Sequence, residues 1–308
     1  MNTTSSSPLT SAGTGPADSR AGTSRAGRRS SNRLLTILLW MVALYFLLPL
    51  VWLLIASTKN NADLFTTFGF WFGQDFSLWS NLRDVFTARD GLFLRWSLNT
   101  VLYAGVSAGG ATLLATTAGY AFAKYRFPGD RMLFSIALGA VMIPLTALAL
   151  PTYLLFNAAH LTNTVWSIIL PSLVSPFGVY LMRVYAADAI PDSLLEAARV
   201  DGAGELRTFL QVSARLLAPG MVTVFLFSLV ATWNNYFLPL IMLNTSSLYP
   251  LTVGLAQQQA ASAAGGGSQA LFSTVITGST VSIIPLVIAF IFLQRYWQSG
   301  LASGSVKE

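Results

Sequence analysis

Six stretches of this chain carry no charged side chain and run for about the twenty residues a helix needs to cross the hydrocarbon of a bilayer. They occupy residues 34–56, 96–123, 132–156, 164–182, 216–243 and 271–294. Lipid offers the backbone no hydrogen-bond partner, so such segments must satisfy themselves as helices or as strands of a closed barrel. The runs are too long for barrel strands and lack their alternation. The expected fold is therefore all-α and integral to the membrane, with six transmembrane helices and Pro49 as a kink in the first. Composition agrees: 54% of residues are hydrophobic and 10% charged, where a soluble domain carries about 25% charged residues.

The same composition removes several chemistries. The chain has no cysteine, so disulfides, thiolate metal sites and a cysteine nucleophile are excluded, and its single histidine, His160, cannot build a histidine metal cluster. No GxxxxGK[ST] loop is present to cradle a nucleotide phosphate. The net charge of +6 does not signal nucleic acid, because the basic residues flank the apolar runs or crowd into the tail, at Arg20, Arg25, Arg28, Arg29 and Arg33. That distribution is the signature of membrane orientation.

Residues 1–33, rich in Ser, Thr, Gly and Arg, are expected to be a disordered basic cytoplasmic tail. The apolar run after it is longer than the core of a cleaved signal, so it is read as an uncleaved first helix. Residues 34–300 form the membrane domain and 301–308 a second cytoplasmic tail. Six crossings put Lys124, Arg126, Arg131, the loop at 190–215, Arg295 and Lys307 on the cytoplasmic side. The loops at 57–95 and 244–270 then lie outside. The first is rich in aromatics, and Trp79, Leu82 and Phe86 fall at helical spacing, which predicts a short helix in the membrane interface.

The loop between the fourth and fifth runs has helix signals of its own. Ser193 with Glu196 spells a capping box just after Pro191, and Gly202 and Gly204 interrupt the helix that these residues open. The spacing predicts a short helix, a glycine bend and a second helix, with Leu194, Ala197 and Ala198 on one face and Glu196, Arg199 and Asp201 at its edge.

This loop resembles the signature of permease subunits in binding-protein-dependent ATP-binding-cassette importers. That pattern is Glu-Ala-Ala, three residues, Gly, nine residues, an aliphatic residue, one more, then Leu-Pro. Here it reads Glu196-Ala197-Ala198, Gly202 and Val212, with Ala214-Arg215 where Leu-Pro is usual and Pro219 matching a later proline. The likeness extends from about Trp79 to Glu308. It includes Ser97-Leu98-Asn99-Thr100, the run from Ala121 through Lys124-Tyr125-Arg126 to Gly129, Ile143-Pro144, Trp233-Asn234-Asn235-Tyr236, Gln294-Arg295-Tyr296, Gly300-Leu301 and Gly304-Ser305-Val306-Lys307. Together these resemble the maltose-type carbohydrate uptake family.

The resemblance implies a bacterial cell-membrane subunit that carries a sugar or oligosaccharide and holds no cofactor itself. ATP and Mg would sit on two partner ATPase subunits. A second permease subunit, paired as a heterodimer, and an external solute-binding protein would complete the machine. Coupling to the ATPases would fall to Glu196, Ala197, Ala198, Asp201, Gly202 and Ala203. Asn234, Asn235 and Tyr236, polar within the fifth run, suit either a translocation path for a neutral sugar or bonds between helices. Gln257, Gln258 and Gln259 lie in an outer loop that the resemblance directs toward the binding protein, and that reads equally as a linker.

Two other functions fit parts of the sequence. Gly105-Val106-Ser107-Ala108-Gly109 spells GxSxG, which with His160 would describe an intramembrane serine protease. The same residues spell GxxxG, a close-packing motif of membrane helices, which is the reading adopted. An importer of a non-sugar solute is the second alternative.

Overall fold

The computed structural model describes residues 24–144, 146–264 and 272–303, with side-chain surroundings within residues 33–296. The regular structure of the described residues is entirely helical. In chain order the helices are α1 (Ser24–Ser57), α2 (Asn61–Thr66), α3 (Leu78–Thr87), α4 (Leu92–Lys124), α5 (Asp130–Ala140), α6 (Ala149–Ala158) and α7 (Trp166–Ser172). They continue as α8 (Pro176–Ala189), α9 (Asp192–Val200), α10 (Glu205–Thr208), α11 (Ala214–Trp233), α12 (Phe237–Met242), α13 (Leu251–Ala263) and α14 (Phe272–Ser303). The described residues fall into two compact units, one up to Trp52 and one from Leu53 onward.

In the first unit α1 starts at Ser24, ten residues before the apolar run. Four arginines and Ala26 favour this extension, against Gly27, Asn32 and three serines. Every side chain from Arg33 to Trp52 is exposed, and Pro49 sits inside the helix without ending it. The remainder of the basic tail, 1–23, lies outside the described residues, as do 304–308 with Lys307.

The second unit is a bundle built on α4. Its buried face runs Phe93, Trp96, Asn99, Thr100, Tyr103, Ala104, Ser107, Ala108, Ala111, Thr112, Ala115, Thr116, Gly119 and Tyr120, a stripe at helical spacing. From Ala104 to Gly119 the stripe is made of small residues, so α8 and α11 pack directly on α4. Helix α8 comes closest to α4 at Gly119, where an added Cβ would lie 2.6 Å from Met182 Cβ and 2.7 Å from the Arg183 nitrogen. The expected GxxxG packing falls elsewhere. A Cβ on Gly105 or Gly109 would meet nothing within 4 Å. These glycines lie at the margin of the stripe; the close-packing role falls to Gly110, which follows the motif and where a Cβ would lie 2.3 Å from Leu173 Cδ2, and to Gly119 and Gly178.

Five helices of the described residues are long and apolar enough to cross a membrane, rather than six. The third run is divided: α5 ends at Ala140 and α6 begins at Ala149, with turns between them around Pro144. Proline removes a donor and disfavours helix in the residue before it, which accounts for the break. The fourth run is notched at Leu173–Ser175, where Ser175 Oγ caps α8 by accepting the Gly178 N–H at 3.1 Å. The fifth ends early, at Trp233.

Two ends of this unit can be told apart. At one end lie α9 and α10, the close of α4 and α8, and the start of α5, where Arg183 stacks on Phe134 at 4.0 Å. At the opposite end α6 and α7 pack beside α12. There Asn163, held at φ 56°, accepts the Asn244 and Thr245 N–H groups at 3.1 Å and donates to Thr245 Oγ1 at 2.9 Å.

The aromatic segment between α1 and α4 forms the expected helix, α3, with Trp79 and Phe86 exposed and Asn81 and Val85 buried. Buried Lys59 donates to Thr67 Oγ1 at 2.9 Å and to the Phe68 carbonyl at 2.8 Å. Asn81 donates to the Ser57 and Lys59 carbonyls at 2.9 and 2.8 Å. The stretch around Gln257–Gln259 is not a loop. It belongs to α13, whose Leu251, Val253, Gly254, Leu255 and Gln258 are buried.

Candidate functional site

Helix α9 carries the Glu-Ala-Ala residues. It starts at Asp192 after Pro191, whose fixed φ suits entry into a helix. Ser193 lies inside the helix and no side chain caps the N-terminus, so the expected Ser193–Glu196 capping box does not form. Proline at the cap position displaced the serine by two residues.

The other terminus follows the sequence closely. Gly202 takes φ +76°, its N–H donates to the Arg199 carbonyl at 3.0 Å, and the Ala203 N–H donates to the Ala198 carbonyl at 3.0 Å. This is a Schellman ending, with glycine where the left-handed backbone penalises any Cβ. Nothing lies within 4 Å of a Cβ placed on Gly202, so the glycine is required by conformation and not by crowding within this chain.

Only Leu195 of α9 is buried. Leu194, Glu196, Ala197, Val200 and Asp201 are exposed, Val200 to 87%, and Ala198 and Ala203 are half-buried. Beyond the bend Leu206 is 72% exposed. The six residues singled out in the sequence thus share one short capped helix and its turn, and they border an apolar surface that the chain does not cover.

Polar bonds hold this helix to the bundle. Lys124 Nζ donates to the Ile190 carbonyl and to Asp192 Oδ1, the latter at 2.8 Å. This pairing holds the Asp192 carboxyl below its ordinary range. Arg199 Nε donates to Glu205 Oε1 at 2.9 Å, and Tyr125 Oη donates to Glu205 Oε2. Burial and then the Glu205 carboxylate push the Tyr125 phenol above its ordinary value, so it remains a donor. Ala214-Arg215, where the family pattern has Leu-Pro, open α11 directly, and the chain approaches them through a π-helical turn, Phe209–Ser213. Ser213 Oγ donates to Tyr120 Oη at 3.3 Å, and the Phe209 and Tyr120 rings lie 5.0 Å apart.

Asn234, Asn235 and Tyr236 lie not within a span but in the break between α11 and α12. Asn234 Nδ2 donates to the Val230 carbonyl at 3.0 Å, closing its own helix. Asn235 Oδ1 accepts the Leu238 N–H at 3.3 Å at the start of α12, and its carbonyl accepts from Thr252 Oγ1 at 2.8 Å. Asn234 and Tyr236 are exposed; Asn235 is half-buried. Two adjacent asparagines compete well with helix for backbone bonds, a signal that could have marked the break.

One cluster escaped the sequence reading. The chain reversal at 246–251 is held by one face of α4. Trp96 Nε1 donates to the Ser246 carbonyl at 2.8 Å, Asn99 Nδ2 to Ser247 at 2.8 Å and Tyr249 at 3.0 Å, and Tyr103 Oη to Leu248 at 2.9 Å. Thr100 Oγ1 accepts the Leu251 N–H at 2.8 Å. The Asn99-Thr100 pair noted for its resemblance is thus a clamp on distant backbone.

The hydrolase geometry is not built. Ser107 is fully buried and its Oγ has no hydrogen-bond partner, while His160 is exposed in a turn after α6.

The family described as binding-protein-dependent transport system inner membrane component matches residues 111–302. An arabinooligosaccharide transport system permease protein of Halalkalibacterium halodurans is 32% identical over 89% of this chain and 96% of its own length. Its counterpart in Bacillus subtilis is 31% identical over 89% and 95%. A lactose transport system permease protein of Rhizobium radiobacter is 28% identical over 87% and 93%. Among solved structures, a bacterial ABC transporter that imports the acidic polysaccharide alginate contains a chain 25% identical to this one. The match has a TM-score of 0.75 and covers 92% of this chain and all of that one.

Proposed function

The chain belongs to the inner-membrane components of binding-protein-dependent transport systems, and from that premise we propose that it is the membrane-spanning subunit of a sugar or oligosaccharide importer. The observation that carries the reading is α9: a short helix fixed at both ends, presenting an apolar face that its own chain leaves open. In this reading Glu196, Ala197, Ala198, Asp201, Gly202 and Ala203 form the surface seated on an ATPase subunit. Small residues let the partner approach, and the two carboxylates give its edge a charge. Energy enters through that contact, because the chain has no phosphate loop of its own.

The subunit crosses the membrane six times in this reading, α5 and α6 together making a broken third crossing. Their positions support it, since α5 starts beside α8 at the α9 end and α6 finishes beside α12 at the other. Non-helical backbone at membrane depth is tolerated where protein covers it. Both termini and α9 then face the cytoplasm, which agrees with most of the basic residues, although Lys59, Arg83, Arg89 and Arg95 fall outside. Asn234 and Tyr236, exposed at the outer break between α11 and α12, border the translocation path, and Asn235 shapes the break. A second permease subunit, two ATPase subunits and an external binding protein complete the importer. The relatives are named for transport of arabinooligosaccharides and lactose, and the similar solved structure for import of the acidic polysaccharide alginate, which together favour a carbohydrate.

The test is reconstitution of the chain with a second permease, an ATPase and a binding protein of the same family from its source organism. ATP-dependent uptake of labelled arabinooligosaccharide and co-purification of the ATPase are expected. Co-purification without uptake of any sugar would move the substrate to another class, and loss of both would remove the importer reading.

A further inference from the structure

We propose that Lys124 and Tyr125, consecutive residues at the close of α4, form a two-point clasp that makes α4 and α9 move as one body. The inference rests on the coupling role proposed for α9.

The clasp takes hold of both ends of α9. Lys124, whose side chain is only 6% exposed, holds the entry through the Ile190 carbonyl and Asp192. Tyr125 holds the exit through Glu205, whose other oxygen accepts from Arg199 in the last turn of α9. One turn earlier, Tyr120 packs edge-on against Tyr125 at 5.7 Å and holds the π-helical turn through Ser213. Tyr120 and Lys124 of α4 and Tyr125 at its cap therefore anchor the start of α9, its end and the path into α11.

Apolar packing alone would not fix α9 in this way. Of its nine residues only Leu195 is buried, and an isolated helix of that length is unstable in water. One buried contact leaves a helix free to pivot; two polar contacts at its ends fix both its position and its rotation. The fold of α4 does not depend on the clasp, because α8 and α11 grip it along the small-residue stripe. Lys124 and Tyr125 are accordingly positioning residues for coupling.

The test uses the complete importer. The chain lacks native cysteine, so Thr117→Cys and Ser193→Cys place two spin labels, one on α4 and one on α9, both at exposed positions. With the clasp intact, the distance between them should stay narrow and unchanged from the nucleotide-free to the ATP-trapped complex. In Lys124→Met with Tyr125→Phe it should broaden and shift on trapping, while the ATPase still co-purifies and basal hydrolysis continues. Uptake of labelled arabinooligosaccharide per ATP should fall about tenfold, the scale set by losing a hydrogen bond to a charged group. Lys124→Arg, which keeps charge and donors, should restore a narrow distance. An unchanged distance in the double variant with ATPase bound would overturn the clasp. If the double variant does not accumulate, Tyr125→Phe alone decides: broadening supports the clasp and no change overturns it. Failure of the unmodified chain to hold an ATPase would count against the coupling reading of α9 instead.

Discussion

Asn99 on α4 holds the carbonyl of Tyr249, 150 positions further along the chain, through its side-chain amide at 3.0 Å. The same amide also donates to Ser247 at 2.8 Å, so one buried side chain supplies two carbonyls of the reversal into α13. Asn99→Ala would leave both without that donor, and a buried unsatisfied group costs about 1–3 kcal/mol. We expect thermal unfolding of the purified protein, followed by tryptophan fluorescence, to move down by several degrees. Thr100→Val should produce a smaller loss, through the Leu251 N–H. A midpoint unchanged in Asn99→Ala would show that water replaces the clamp.

Gly202 should respond to conformation before size. Its φ of +76° costs a residue with a Cβ about 1–2 kcal/mol. Asparagine tolerates that region better than alanine. Co-purification of the ATPase should therefore fall in the order Gly202, Asn, Ala. Gly202→Asp should fall further if the docked surface also requires close approach. Equal recovery of Gly202→Ala and the native chain would separate the bend from docking.

Helix packing offers a paired comparison. Gly119→Ala forces a Cβ to within 2.6–2.8 Å of Met182 and the Arg183 backbone, so it should sharply reduce folded protein in detergent. Gly109→Ala meets open space and should accumulate normally, with any effect confined to assembly with partners. Ser107→Ala removes a buried hydroxyl with no partner and should leave stability unchanged or raise it by about 1 kcal/mol. Loss of uptake in Ser107→Ala at normal protein level would reopen a chemical role for that serine.

The ionic half of the clasp has a defined pH dependence. The Asp192 carboxyl is held low by the hydrogen bond and charge of Lys124. A depressed folded-state value means the contribution is complete above the ordinary carboxylate range of about 4 and is lost as pH falls through the lower folded value. Spin-label distances between α4 and α9 should therefore hold steady from neutral pH to about 5. In Asp192→Asn the pH response of this contact should vanish altogether. A distance already changing at pH 6 would point to another titrating group.

Much of this architecture could be read from residue chemistry. Uncharged runs locate the long helices because hydrocarbon tolerates little else, and Gly202 marks its bend because few residues adopt a left-handed turn cheaply. Departures came where neighbouring residues compete. Pro191 entered the helix start that Ser193 would have capped. Pro144 divided one run, and Asn234-Asn235 ended another. Each is a local contest between backbone partners to which an average over twenty residues is blind. The clamp by Trp96, Asn99, Thr100 and Tyr103 was illegible for a different reason. Its partners are backbone carbonyls and one amide about 150 residues away, which carry no side-chain signature.

The interruption between α5 and α6 bears on how the cell manages this subunit. Turns there replace regular helical bonding with three-residue bonds from the Val141, Met142, Ile143 and Ala147 N–H groups, next to side chains as exposed as Met142, at 85%. Hydrocarbon cannot solvate such groups. In the six-crossing reading, the weaker turn bonding makes this break the place where a neighbouring chain would lower the cost of insertion. The abundance of the subunit is then expected to follow the supply of that neighbour as well as its own rate of synthesis.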